Sequence, residues 1–147
     1  MKSLNEKILK FDLTQVIYYS MILILLRVDL IFIDNTPTGG DMGAHVVPIK
    51  YFIENFASSF KINGWSNDWF AGYPLYFFYF PFPAILTYLF NLIVPYGVAF
   101  KLMVAGSIVL VIYSIEKLFR KEDYLFSHIG IGAGLMFALT ESFTIYG

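Results

Sequence analysis

Cysteine is absent from the 147 residues, which excludes a disulfide framework and a thiolate zinc site and leaves the redox compartment unread. Histidine is scarce: His45 and His128 are the two in the chain, and the topology expected below puts them on opposite sides of the membrane, where they cannot share a zinc ion. No dense Lys/Arg run occurs and the net charge is −1, so the electrostatic footprint of a nucleic-acid binder is missing. An Asn-x-Ser/Thr sequon is missing too. Charge of either sign is low at 14%, against about 25% in an average soluble domain.

Apolar side chains take the place of charge. They make up 58% of the chain, aromatics alone 20%, and the mean hydropathy is +0.66. A soluble core of this size cannot hide that much apolar surface, so the composition is that of an integral membrane protein. Three segments, residues 16–33, 97–116 and 125–145, are each long enough to cross a hydrocarbon core of about 30 Å at about 1.5 Å per residue. Arg27 and Asp29 interrupt the first; two residues apart, they are expected on different faces of a continuous helix. The apolar run is longer than the core of a cleaved signal peptide, and Asp34, Asn35 and Thr36 follow it where a small-residue cleavage site would stand. An uncleaved signal anchor is therefore expected.

Residues 82–94 form a shorter apolar piece bounded by Pro81, Pro83 and Pro95, and positive charge arbitrates its placement. With Lys2, Lys7 and Lys10 inside, a non-spanning 82–94 puts Lys117, Arg120 and Lys121 inside as well, whereas a spanning one puts them outside. The expected fold is thus all-α transmembrane, with three spanning helices in the plasma membrane. Residues 1–15 and 117–124 are cytoplasmic, and an extracytoplasmic loop over 34–96 carries surface helices near 44–60 and 82–94. In the first of these, Val47, Tyr51, Phe52 and Phe56 have the spacing of an amphipathic helix on the membrane surface. Gly130, Gly132 and Gly134 lie inside an apolar helix pattern without a preceding strand, so they fit small-residue helix packing and not a phosphate loop.

Function would sit in the outer loop, which is too long for a plain connector. Its stretch "NGWSNDWFAGYPLYFFYFPFP" is dense in rings. One reading is an aromatic belt at the bilayer interface. The other is that Trp65 or Trp69 forms a platform for a sugar or isoprenoid, with Asp68 orienting a sugar hydroxyl. The stretch "TPTGGDMGAH" also has two readings. Pro37, Gly39 and Gly40 make a turn, and Asp41 is a good N-cap for a helix starting at Met42. Asp41 and His45 are also i,i+4 neighbours, so a general base toward a hydroxyl, or a hard ligand pair for Mg²⁺ or Mn²⁺, would stand just outside the membrane. One acid and one histidine leave a metal site incomplete.

"TPTGGDMGAH", "GWSNDWFAGYPLYFFYFPFP", "VPYGVAFKL" and the final "SFTIYG" follow one another like the blocks of an integral membrane family named for a relation to 6-pyruvoyl-tetrahydropterin synthase, and the chain resembles that family from about Thr36 to Gly147. The name is not a function, since the zinc site of the soluble synthases has no counterpart here. The layout also resembles the GT-C class of polyprenyl-phosphate-sugar-dependent glycosyltransferases. That resemblance implies that Asp41, an acid in the first outer loop, is the catalytic base or a metal ligand. It makes Glu141, near the outer end of the third segment, a candidate for a second acid, and it implies that further crossings follow Gly147. Two functional classes result: a glycosyltransferase of cell-envelope glycan assembly using a polyprenyl-phosphate sugar donor, and a non-enzymatic scaffold or lipid-handling protein whose aromatic loop meets membrane lipids.

Overall fold

The computed structural model describes residues 13–68, 70–119 and 129–133, and within them the fold is mostly helical. The elements in chain order are α1 (Leu13–Leu25), α2 (Val28–Ile31), α3 (Met42–Asn55), a 3₁₀ turn (Ala57–Ser59), β1 (Gly64–Ser66), β2 (Tyr73–Leu75), α4 (Phe82–Asn91) and α5 (Tyr96–Phe119). Residues 129–133 are helical; the rest of the third expected span lies outside the described residues. Among the described residues one helix, Tyr96–Leu118, is long and apolar enough to cross a membrane.

The first apolar run is not a single helix. The backbone of Arg27 enters the left-handed region at φ 47° and ψ 58°, its amide closes a short bond to the Ile24 carbonyl at 3.1 Å, and α2 starts afresh at Val28. The expectation that Arg27 and Asp29 point apart fails at this break. The guanidinium donates to both carboxylate oxygens, Nε to Oδ1 at 3.0 Å and Nη2 to Oδ2 at 2.8 Å. Residues two apart face different ways only on a regular helix, and the left-handed residue removes that regularity.

The α1–α2 run and α5 lie side by side and antiparallel. Tyr19 donates its hydroxyl to the buried Glu116, Ile22 packs with Ile112, and Lys101 reaches the Leu30 carbonyl, so positions rise along one element as they fall along the other. Ile131 joins Ile22 and Ile112, which brings the helical residues 129–133 against the first helix and α5.

A second core gathers the elements between Asp34 and Val104. Val46, Ile49 and Phe52 of α3 meet Phe56, Leu75, Tyr76, Ala84 and Phe100. The expected stripe is out of step by a position at its start: Val46 and Ile49 are buried while Val47 is exposed. Phe52 and Tyr76 pack edge to face with ring centroids 5.6 Å apart. This core contains the departure from an all-α fold, an antiparallel hairpin pairing Gly64 with Leu75, Trp65 with Pro74 and Ser66 with Tyr73. The chain tightens at its tip, where Phe70, Ala71 and Gly72 all have positive φ. Gly72, at φ 128°, is held there by Trp65, whose ring would stand 2.5 Å from any added Cβ.

The two ends of the loop meet at one seam. The Gly97 amide donates to Asp34 Oδ1 at 3.2 Å. Backbone and backbone come so close there that a Cβ on Gly97 would sit 2.6 Å from the Asn35 carbonyl oxygen. One helical turn on, the Lys101 ammonium donates to the Leu30 and Ile33 carbonyls, both at 2.6 Å, and to Asn35 Oδ1 at 2.8 Å. Each carbonyl also accepts from a nearby amide, Leu30 from Ile33 at 3.4 Å and Ile33 from Asn35 at 2.8 Å, so the cation from a helix far along the chain adds a second donor where the first helix ends.

Candidate functional site

Asp41 stands where α3 begins. Gly39 and Gly40, at φ 103° and 47°, turn the chain, and the Met42 amide closes the turn on the Gly39 carbonyl at 3.1 Å. Asp41 occupies the N-cap position, and its own carbonyl accepts from the Ala44 amide at 2.8 Å. Its carboxylate makes no capping hydrogen bond. The sequence motif therefore yields the turn and the helix start without using the acid side chain for either. His45 follows four residues later, also exposed, across the first turn of α3. Among the described residues no group of three His, Cys, Asp or Glu side chains converges, so a metal held by Asp41 and His45 would require ligands from elsewhere.

Beside this turn, an open cleft of about 250 Å³ separates the first helix from α5. Its walls are apolar, with Leu26, Leu30, Phe100 and Val104 among them, and Pro37 and Met42 bring it to the neighbourhood of Asp41. Arg27 and Lys101 also line it. These cations were visible in the sequence as interruptions of apolar runs, which is the general mark of a functional or structural polar group at membrane depth. What each of them binds was not.

The remaining candidates are not gathered at Asp41. Trp65 lies on β1 and is exposed at 59%, with its carbonyl accepting from the Tyr51 hydroxyl at 3.4 Å. Asp68 is exposed at the hairpin tip, and its amide donates to the hydroxyl of buried Ser66 at 3.4 Å. Tyr51 is ten residues along α3 from Asp41, about 15 Å of helix rise. The pair Asp41 and His45 and the pair Trp65 and Asp68 thus occupy opposite ends of one helix. Trp69 and Glu141 lie outside the described residues. Between the two stations the core is tight enough that burial pushes the Tyr76 phenol well above its ordinary range, with Tyr73 adding to the effect.

The chain matches no protein-family model, no curated protein and no solved structure. An exposed carboxylate at a helix N-terminus, next to a histidine and beside an apolar cleft, can accept a proton from a hydroxyl, or hold a hard cation, while an amphiphile lies against the cleft.

Proposed function

We propose that the chain supplies one edge of a GT-C-like glycosyl transfer site in the plasma membrane, acting in cell-envelope glycan assembly. The α1–α2 run, α5 and the segment over 125–145 cross the bilayer, the N-terminus is cytoplasmic, and residues 34–96 face the extracytoplasmic side. Asp41 accepts the proton of the acceptor hydroxyl as its oxygen bonds to the anomeric carbon. The bond from that carbon to the phosphate oxygen breaks, and polyprenyl phosphate departs with the bonding electrons. In a metal-dependent version, Asp41 and His45 contribute to holding Mg²⁺ or Mn²⁺ near the departing phosphate. Trp65, Asp68, Trp69 and Glu141 serve as contacts to the sugars.

The observation that carries this reading is the unused carboxylate of Asp41, exposed and free of the capping bond that would otherwise account for it. At about 250 Å³ the nearby cleft is smaller than a complete ligand pocket, which usually measures about 300–1,000 Å³. It has room for part of a polyprenyl chain.

The second reading, a scaffold or lipid-handling protein, draws on the distance between Asp41 and the hairpin. If Trp65 and Asp68 serve lipids or a partner instead of sugars, no common site with Asp41 is needed.

Membranes holding the protein, supplied with a panel of radiolabelled polyprenyl-phosphate sugars, test the choice. Transfer by the wild type that falls about 10²- to 10⁴-fold in Asp41→Asn, the usual contribution of a general base, supports the enzyme. Transfer unchanged by the substitution removes Asp41 from the chemistry. No transfer from any donor favours the scaffold.

A further inference from the structure

Residues 69–100 contain no Asp, Glu, Lys, Arg or His, although most of this stretch precedes the helix expected to cross the membrane. Many of its side chains are uncovered: Phe78 and Ile93 are each 86% exposed, Phe80 68% and Phe82 65%. Uncharged, ring-rich surface of this extent is not left facing water in a stable protein.

The path of α4 says what it faces. A four-residue turn, 92–95, joins α4 to α5, and the Asn91 side chain closes it by donating to the Val94 carbonyl at 3.0 Å. If the two helices ran on in one line, Ala84 and Phe100 would be about 24 Å apart at 1.5 Å per residue. Instead they share one core, with Met103 and Val104 packed against it. So α4 folds back beside α5, and its ten residues, about 15 Å of rise, carry its first turn toward the level of Met103 and Val104. Met103 and Val104 are about 10 Å along α5 from Tyr96, inside the apolar span Tyr96–Leu118.

The hydroxyls of α5 agree with its placement in lipid, and the α4 hydroxyl is buried against protein. Thr87 donates to the Pro83 carbonyl at 2.8 Å, Ser107 to Met103 at 2.8 Å and Ser114 to Leu110 at 2.7 Å, each within its own helix. Ser107 and Ser114 are exposed and still turn inward to the backbone. That is the arrangement a hydrocarbon solvent demands, because it offers no partner of its own.

We propose that α4 and the aromatic segment 77–82 form a re-entrant hairpin with α5, its exposed rings solvated by phospholipid acyl chains of the leaflet at the N-terminal end of α5. The helix is not a rod lying flat at the interface: its start is deep and its end is shallow. This rests on the reading of α5 as a crossing helix, and the test separates the two.

Because the chain has no cysteine, single-cysteine variants of the full chain are direct to make. Phe82→Cys, Phe78→Cys, Ile93→Cys, Leu110→Cys and Ser58→Cys, each carrying a nitroxide, are reconstituted in phosphatidylcholine vesicles and compared by collision with oxygen and with a water-soluble nickel chelate. The expected result is oxygen-dominated collision at Leu110, Phe82 and Phe78, a several-fold lower ratio of oxygen to nickel at Ile93, and nickel-dominated collision at Ser58. Equal ratios at Phe82 and Ile93 with a deep Leu110 would establish a flat surface helix and overturn the proposal. Low collision with both reagents at Phe78 and Phe82 would mean that protein covers the rings, and would also overturn it. A nickel-dominated Leu110 would sink the crossing assignment of α5 itself.

Discussion

Replacing Lys101 by Met keeps the length and apolar stem of the side chain while deleting the ammonium that joins α5 to the end of the first helix. Three acceptors lose the ammonium: the carbonyls of Leu30 and Ile33, at 2.6 Å each, and Asn35 Oδ1 at 2.8 Å, although the two carbonyls keep the Ile33 and Asn35 amides as donors. A hydrogen bond to a charged group contributes about 1.5–3 kcal/mol net when sheltered and less where water can replace it. These contacts are at the exposed side of the seam, and water recovers part of each, which brings the sum to roughly 2–4 kcal/mol. Lys50→Met is the control, since its pairing with Glu54 spans 4.0 Å between two exposed side chains; pairs of that kind contribute about 0.3–0.5 kcal/mol. Reversible unfolding in mixed micelles, read by circular dichroism against denaturant, would measure both. Lys101→Met losing less than about 0.5 kcal/mol, or no more than Lys50→Met, would refute the account of the seam.

Other outcomes follow from the same geometry. Gly97→Ala drives a methyl to 2.6 Å from the Asn35 carbonyl and is expected to lower stability by about 1–3 kcal/mol in the same assay. Asp41→Ala, by contrast, should change stability by less than about 0.5 kcal/mol, where a working N-cap would cost about 1 kcal/mol; a larger loss would mean the carboxylate caps α3 after all. The Tyr76 phenol is raised from its ordinary value of 10 by burial. Its neutral form favours the fold fully below pH 10, and the unfolded chain gains as pH climbs above that value. Stability should therefore fall through the alkaline range in the wild type, and fall less in Tyr76→Phe; identical alkaline profiles for the two would contradict the burial.

The parts of the fold that were legible in the sequence are those with local causes. Two glycines after a proline made the turn before α3 readable, and a long apolar run broken only by Lys101 before Glu116 made α5 readable. The stripe of α3 slipped because apolar residues stand at both Val46 and Val47, so periodicity alone could not choose between them until Phe100 and Ala84 packed against one side. The break at Arg27 has no Gly or Pro to announce it, and what accompanies it is an ion pair formed only after the helix stops. Strands of three residues are too short to display alternation, so the hairpin left no signature beyond Gly72. The Lys101 contacts join residues about seventy positions apart, a distance across which no sequence spacing has meaning. For the candidate site the turn, the acid and the histidine were readable, while the separation of Asp41 from Trp65 along α3 was a tertiary fact.

The seam has a bearing on how this chain can change. Residues 36–95 leave and re-enter the molecule at one point, between Asn35 and Gly97, where backbone touches backbone. Such a segment is a lariat closed by contacts outside itself, and lengthening a closed loop is cheap, about 0.6 kcal/mol for each doubling. Insertions or deletions at the hairpin tip would leave the helix pair beneath undisturbed so long as Asp34, Asn35, Gly97 and Lys101 are kept and the side chains that cover Phe100 stay in place. The hairpin tip is, in engineering terms, a replaceable cassette on a fixed socket, and a lineage could alter what it recognises without redesigning how it is anchored.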